Sequence, residues 1–233
     1  MRVLAIDTSS SALGAAIADE QGIIGEFGLH TGRQHSEALL PLLQSLLQAA
    51  GLNLAAMDAF GVTIGPGSFT GLRIGLATVK AWVQALDKPL VAVSSLEALA
   101  LTAAEAGMLV CPTLDARRDE LYAALFADGQ RLTADQAIAP LALAQQLKTY
   151  QRPVLLTGDG ALSYAEIMRA ELGENLRIAP EPRRLFMAAQ AALLTRRDYL
   201  AGKLADAATL EPHYLRLSEP EEKRQAADNN LDL

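Results

Sequence analysis

The sequence predicts an α/β protein of two lobes, and three observations carry the prediction. The chain opens as strand, polar turn and strand, then alternates helices with short apolar runs. The same opening recurs near residue 109, and helices and strands alternate again after it. With 233 residues, 51% of them hydrophobic and 20% charged, the chain holds enough apolar material for a real core.

In order along the chain, residues 3–6 form an apolar strand, Asp7-Thr8-Ser9-Ser10-Ser11 a turn, and residues 13–18 a second strand. Asp19-Glu20-Gln21-Gly22 turns into a third strand at 23–29. A helix starts near Ser36, a good N-cap, and stops at Gly51. Residues 60–64 are a short buried strand that enters Gly65-Pro66-Gly67-Ser68-Phe69-Thr70-Gly71, and a second helix runs on to Leu86. A strand at 89–93 and a helix at 96–106 complete the first unit.

The second unit begins with a strand at 109–114, the turn Asp115-Ala116-Arg117-Arg118-Asp119 and a returning strand at 120–126. A strand at 154–157 meets Gly158-Asp159-Gly160 and a helix at 162–172. A strand at 176–179 precedes a long helix at 184–201. The expected division is therefore a first lobe at 1–103, a second at 104–217 and a polar, disordered tail at 218–233.

Charge and cysteine content narrow the function classes. Lys plus Arg at 20 against Asp plus Glu at 27 gives a net charge of −7, the wrong sign for a chain that grips a nucleic-acid backbone by itself. Cys111 is the only cysteine, lies in an apolar strand, and reads as a buried inert thiol. Asp7 interrupts the apolar start where a secretory signal needs a long apolar stretch. Residues 38–56 carry no charge but contain Pro41, Gly51 and several amides, so a membrane span is not expected. The expectation is a soluble, cytoplasmic protein.

The two first-lobe helices, 36–50 and 70–86, share an unusual wheel. In the first, Glu37, Gln44 and Gln48 make a narrow polar stripe, with Leu39, Leu43, Leu46 and Ala50 opposite and Leu40 and Leu47 beside the stripe. In the second, Arg73, Lys80 and Gln84 form the stripe, Val79, Trp82 and Leu86 oppose it, and Leu76 and Val83 flank it. One core needs an apolar arc of only a little over ~100°. Two readings stay open: deep burial between layers, or a protein–protein surface. The Gly71 and Gly75 spacing would let another helix approach closely.

Several chemistries are missing. His30 and His35 are five apart and do not share a helical face as a metal pair would; with His213 they read as structural or surface residues. The glycine-rich loop lacks the Gly-Lys-Ser/Thr of a P-loop, and Pro66 stands where a nucleophile elbow needs glycine. Gly65 and Gly67 supply permissive backbone, and Ser68 or Thr70 can cap the helix, whose amides could also receive an anion. Asp7-Thr8-Ser9 fits either a phosphate–metal loop or a hydrogen-bonded turn.

Taken together, Leu4-Ala5-Ile6-Asp7-Thr8-Ser9, His35-Ser36-Glu37-Ala38-Leu39-Leu40-Pro41, Gly65 to Gly75, Asp115 to Tyr122, Gly158-Asp159-Gly160 and Pro212-His213-Tyr214-Leu215-Arg216 resemble the TsaB (YeaZ) family across nearly the whole chain. The resemblance implies an actin-like (ASKHA) fold, each lobe a mixed sheet flanked by helices. It implies a non-catalytic subunit for synthesis of N6-threonylcarbamoyladenosine at position 37 of tRNA. That subunit binds and activates a TsaD-like paralogue, alongside a TsaE-like ATPase, and contacts tRNA only indirectly.

The resemblance further implies homodimers in isolation and heterodimers with the paralogue, both through the first two helices. The expected interface residues are Leu40, Leu47, Leu76 and Val83, with Arg73 and Lys80 setting register. The paralogue's metal-binding His-x-x-x-His falls in register on Ser95 and Leu99, which cannot hold a metal as a pair. No catalytic residue and no cofactor are expected, with at most weak ATP or ADP binding in a complex. The loops that would serve a nucleotide are Asp7, Thr8 and Ser9 with Gly158, Asp159 and Gly160. The competing expectation is an ATPase or degenerate peptidase acting alone.

Overall fold

The computed structural model describes residues 1–30 and 34–216. The expected tail at 218–233 lies outside the described residues. The first unit runs β1 (Val3–Asp7), β2 (Leu13–Asp19), β3 (Gly22–Leu29), α1 (His35–Ala50), β4 (Ala59–Gly65), α2 (Phe69–Leu86), β5 (Leu90–Ser94) and α3 (Ser95–Thr102). Its five strands lie in the order β3-β2-β1-β4-β5. The opening hairpins are antiparallel, and β4 and β5 run parallel to β1. Every residue of β1 is buried, as a central strand covered on both faces requires. α1 ends where Gly51 turns left-handed (φ 65) and its N–H closes on Gln48 and Leu47.

The second unit runs β6 (Leu109–Arg117), β7 (Glu120–Ala123), β8 (Phe126–Ala127), β9 (Gln130–Arg131), β10 (Gln136–Ile138), α4 (Pro140–Lys148), β11 (Val154–Thr157), α5 (Gly160–Ser163), α6 (Ala165–Leu172), β12 (Leu176–Ile178), α7 (Glu181–Leu185) and α8 (Ala188–Leu200). Its main path, β10-β7-β6-β11-β12, repeats the first sheet's order, with the β8–β9 hairpin beside β6. Two hairpins followed by two parallel crossovers occur twice in one chain.

The elements stack as five layers. α1 and α2 cover the outer face of the first sheet, setting Leu39, Leu43 and Leu46 against Leu4, Ile17 and Phe60. α4 and α6 cover the outer face of the second through Leu143, Leu147 and Met168. Between the sheets lie α3 and α8, whose Leu96, Leu99, Ala188, Ala191 and Ala192 join Val3, Ala16 and Val93 to Val110, Leu114 and Leu155 in one cluster.

The structure corrects the expected lobe boundary. α8 falls within 104–217, yet it packs across all five strands of the first sheet. Residues beyond it stay there, with Ala205 bridging Leu90 and the His213 N–H donating to the Ile64 carbonyl at 2.7 Å. Chain order and lobe membership thus part company after residue 187.

Smaller differences have local causes. The expected strand at 120–126 is broken because Leu125 leaves the ladder, its N–H donating to Thr133 Oγ1 and its carbonyl accepting from Leu132. The helix expected at 162–172 breaks at Tyr164 (φ −123, ψ 20). The one expected at 184–201 is interrupted at Phe186 and Met187, where Phe186 lies over Gly28 of β3. α3 stops at Thr102, whose hydroxyl contacts the Leu99 and Arg183 carbonyls.

α8 sits close to the sheet because small residues face it. A Cβ on Gly61 of β4 would fall 1.8 Å from Thr195 Oγ1, and Thr195 is fully buried with its hydroxyl on the Ala191 carbonyl. Gly61→Ala is therefore expected to lower the urea-unfolding free energy by about 1–3 kcal/mol through overpacking. An unchanged midpoint would mean that α8 can retreat from the sheet without loss.

Candidate functional site

The β1–β2 turn is where the first lobe's functional loops meet. Asp7 is 2% exposed, and its Oδ1 accepts from the Ser9 N–H (3.0 Å), Ser9 Oγ (2.6 Å) and Thr63 Oγ1 (2.7 Å). Burial pushes its carboxyl above the ordinary carboxylate range, against the opposing pull of the Ser9 and Thr63 hydrogen bonds. Thr8 is buried and donates its hydroxyl to the Gly71 carbonyl at 2.7 Å. Ser9 accepts from the Ser68 N–H at 2.7 Å. The hydrogen-bonded turn describes this segment.

The glycines of the following loop serve the same contact. A Cβ on Gly67 would lie 2.2 Å from the Ser9 carbonyl oxygen, one on Gly71 2.0 Å from that of Thr8, and one on Gly75 2.4 Å from Thr8 Oγ1. This corrects the reading of Gly71 and Gly75 as a seat for another helix, because the β1–β2 turn already fills that space. Ser68 caps α2, its Oγ accepting from the Gly71 N–H at 3.2 Å.

In the second lobe Gly158 adopts φ +100, and a Cβ there would fall 1.9 Å from the Thr113 carbonyl oxygen. This places Asp159 at the mouth between the lobes. Its Oδ1 accepts from the Asp115 N–H (3.1 Å) and its Oδ2 from the Ser11 N–H (3.4 Å), so one carboxylate joins the leading hairpins of both units. Gly160 packs on Leu121. The Asp7 and Asp159 carboxylates are thus engaged with the protein's own donors.

The space left between the lobes is a cleft of about 920 Å³ bounded by the Ser9–Ser11 turn, the start of α2, the β6–β7 turn and the C-terminal segment. Arg117, Arg118 and Asp119 all hold left-handed backbone (φ 63, 52 and 59), which places Arg117 at the rim. Arg216 pairs with Glu120 at 2.7 Å. Tyr214 stacks on Phe69 at 4.6 Å, and Arg73 lies over Phe69 at 3.8 Å while its Nε donates to Tyr214 Oη. Tyr214 and Arg216 were absent from the expected site residues; the Pro212–Arg216 motif was the signal that marked them.

Ser95 and Leu99 lie on α3, both fully buried. Leu99 lies close to Gly158, and Ser95 Oγ has no hydrogen-bond partner among the described residues. Among the described residues no three His, Cys, Asp or Glu side chains are grouped to hold a metal ion. Burial pushes the Cys111 thiol far up, consistent with an inert residue. His35 bonds the Ser10 carbonyl through Nε2 at 2.9 Å, and His213 lies 3.8 Å from Asp135. No helix of the described residues is long and apolar enough to cross a membrane.

On the outer helices, Leu40 is 59% exposed, and Leu47, Val83 and Lys80 are half-buried on the same layer. Trp82 and Leu86, which the wheel sets opposite the polar stripe, are also half-buried against the outer core; Trp82 tilts against Phe60 at 5.6 Å. Arg73 is exposed but leans towards Tyr214. Leu76 differs from expectation. It is 5% exposed and belongs to the core against the first sheet, because Gly75 beside it is drawn tight onto Thr8 and Val62.

The buried Asp7 gives a pH test. A native carboxyl that holds its proton more tightly than the unfolded chain makes stability fall as pH rises from the unfolded value, about 3.9, through the raised one. Asp7 thus supports the fold less at neutral pH than below about 4. Asp7→Asn keeps an oxygen acceptor and is expected to be at least as stable at pH 7, its advantage vanishing as pH falls towards about 4. Urea midpoints of both proteins across that range check this; a less stable variant at pH 7 would show that the charge itself is required.

A family model described as TsaD: tRNA N6-adenosine threonylcarbamoyltransferase matches residues 14–151. The tRNA threonylcarbamoyladenosine biosynthesis protein TsaB of Bacillus subtilis (strain 168) is 33% identical over 227 residues, covering 96% of this chain and 97% of that protein. The solved structure of YeaZ from Pseudomonas aeruginosa superposes with a TM-score of 0.73 at 28% identity, covering 92% of this chain and 99% of that one. At the level of fold alone, ethanolamine utilization protein EutJ from Carboxydothermus hydrogenoformans matches with a TM-score of 0.55 at 13% identity, covering 84% and 90% of the two chains. The ROK hexokinase from Thermus thermophilus does so with 0.50 at 15%, covering 85% and 100%. The five-layer architecture is therefore the actin-like one, and the chain belongs to the TsaB (YeaZ) family.

Proposed function

We propose that this chain is a non-catalytic subunit of the machinery that makes N6-threonylcarbamoyladenosine at position 37 of tRNA. It binds and activates a TsaD-like transferase through the outer faces of α1 and α2, with a TsaE-like ATPase as a further partner and tRNA held mainly elsewhere. The observation that carries this reading is the exposed Leu40 with the partly buried Leu47, Trp82 and Val83, which pack against an outer core already filled by Leu39, Leu43, Leu46 and Leu76. A monomer gains nothing from leaving such a strip in water, whereas a helical partner would bury it. Lys80 flanks the strip and fits a register-setting role. Homodimers in isolation would use the same strip.

The ATPase or peptidase reading has less behind it. The loops it needs, Asp7-Thr8-Ser9 and Gly158-Asp159-Gly160, are occupied by internal hydrogen bonds and close backbone contacts. The positions matching the paralogue's metal pair are the fully buried Ser95 and Leu99.

Leu40→Glu is the cleanest test, since Leu40 projects into solvent. With Leu47→Glu or Val83→Glu it is expected to weaken association with the TsaD-like protein by on the order of a hundredfold while the chain stays folded. Leu76→Ala should instead lower stability by about 2–5 kcal/mol, as a core truncation does. Light scattering of the mixed proteins and urea unfolding of each variant separate the two effects. Reconstituted modification of tRNA, with TsaD-like and TsaE-like proteins and with or without this chain, tests the role itself. Product should require both this chain and the TsaD-like one; product formed without the latter would overturn the non-catalytic assignment.

A further inference from the structure

The cleft between the lobes stands independently of the apolar strip on α1 and α2, and the chain's own C-terminal part leads into it. Tyr214 and Arg216 both line the cleft. Tyr214 is held there by Phe69 and Arg73, and Arg216 by Glu120 at 2.7 Å. Glu120 lies directly across the β6–β7 ladder from Arg117. The described chain therefore stops inside the cleft, within one hairpin turn of the adjacent Arg117 and Arg118.

The rim that the chain meets at this point is cationic. The Arg117 side chain is 87% exposed, and its guanidinium lies 3.7 Å from Asp115, beyond hydrogen-bond distance. Arg118 lines the cleft beside it. Across the cleft, the first turn of α2 carries no acidic residue, so the amide end of that helix adds to the positive field. The two carboxylates of the lining already have donors. Asp115 accepts from the Arg117 N–H at 2.8 Å, and Asp159 accepts from the Asp115 and Ser11 N–H groups.

We propose that residues 217–222 of the same chain fold back into this cleft as its resident ligand, with Glu219, Glu221 and Glu222 set against Arg117, Arg118 and the start of α2. These glutamates follow Arg216 by three, five and six positions, a reach of roughly 10–20 Å. Residues 217–233 hold five acidic residues against Lys223 and Arg224, so the sign is right. The covalent connection selects this occupant over others. Exposed ion pairs are individually weak, so a free acidic peptide or a second copy's segment gains little from the same arginines. A segment joined to the cleft wall acts at an effective concentration on the order of millimolar. Docked this way, it ties the β6–β7 turn of the second lobe to α2 of the first.

The test is paramagnetic broadening in the full chain. Cys111 is buried with its thiol pushed far up, so Gln225→Cys takes a nitroxide label alone. The label should broaden the amide signals of Thr70 and Ala116 and spare those of α4, on the outer face of the second sheet. Replacing Glu219, Glu221 and Glu222 together by lysine should cut the broadening by about tenfold, and so should Arg117→Glu with Arg118→Glu. All five changes together exchange the charges and should restore it. Urea midpoints check folding; if the turn variant does not fold, the lysine variant still decides. Chains without nitroxide, mixed with labelled ones, should stay sharp, and inorganic tripolyphosphate should displace the segment only at about millimolar concentration. Absent broadening, broadening that survives charge reversal, transfer to the unlabelled copies, or displacement by micromolar tripolyphosphate would overturn the proposal.

Discussion

The close approach of α2 to the β1–β2 turn is the contact on which both functional surfaces depend. Three glycines at four-residue spacing let the helix touch Thr8 and Ser9 with backbone rather than side chain. Thr8 answers by bonding Gly71, and Asp7 fixes the turn from beneath through Ser9 and Thr63. Because the helix is pinned there, Leu76 is rolled into the core and Val83 stays near the surface. The same pin sets Phe69 at the rim of the cleft, where Tyr214 and Arg73 stack on it.

The two lobes are joined at opposite ends of their interface. Asp159 links the leading hairpins, and Arg131 of the second lobe donates to Ser94 of the first at 2.9 Å while pairing with Asp135. Between these points α3 and α8 fill the middle layer with one continuous apolar cluster. A cleft closed this way has its lobes tied to one another as well as to their own helices.

Much of this was legible in the sequence, and the boundary of legibility has physical causes. β1, β4 and β11 were readable because strands buried on both faces become short, largely apolar runs that end at or just before glycine or aspartate. The doubled hairpin opening was readable for the same reason. Partners far apart in sequence were not: Ser11 and Asp159 are 148 positions apart, and no local pattern links them. Leu76 was expected at the partner surface and lies in the core because an apolar arc does not say which part of it a neighbouring turn will occupy. α8 reads as an ordinary alanine-rich helix; its membership in the first lobe follows from Gly61 and Thr195 fitting together across the sheet, which periodicity cannot see.

That membership bears on how the molecule is made. A ribosome delivers the first five strands and α1 to α3 long before residues 188–200 emerge, so the inner face of the first sheet is without α8 for most of the chain's synthesis. Val3, Ala16 and Gly61 wait uncovered during that interval. The first lobe therefore matures last, after the second unit has been threaded past it, and truncation anywhere before α8 leaves an apolar sheet face open to aggregation.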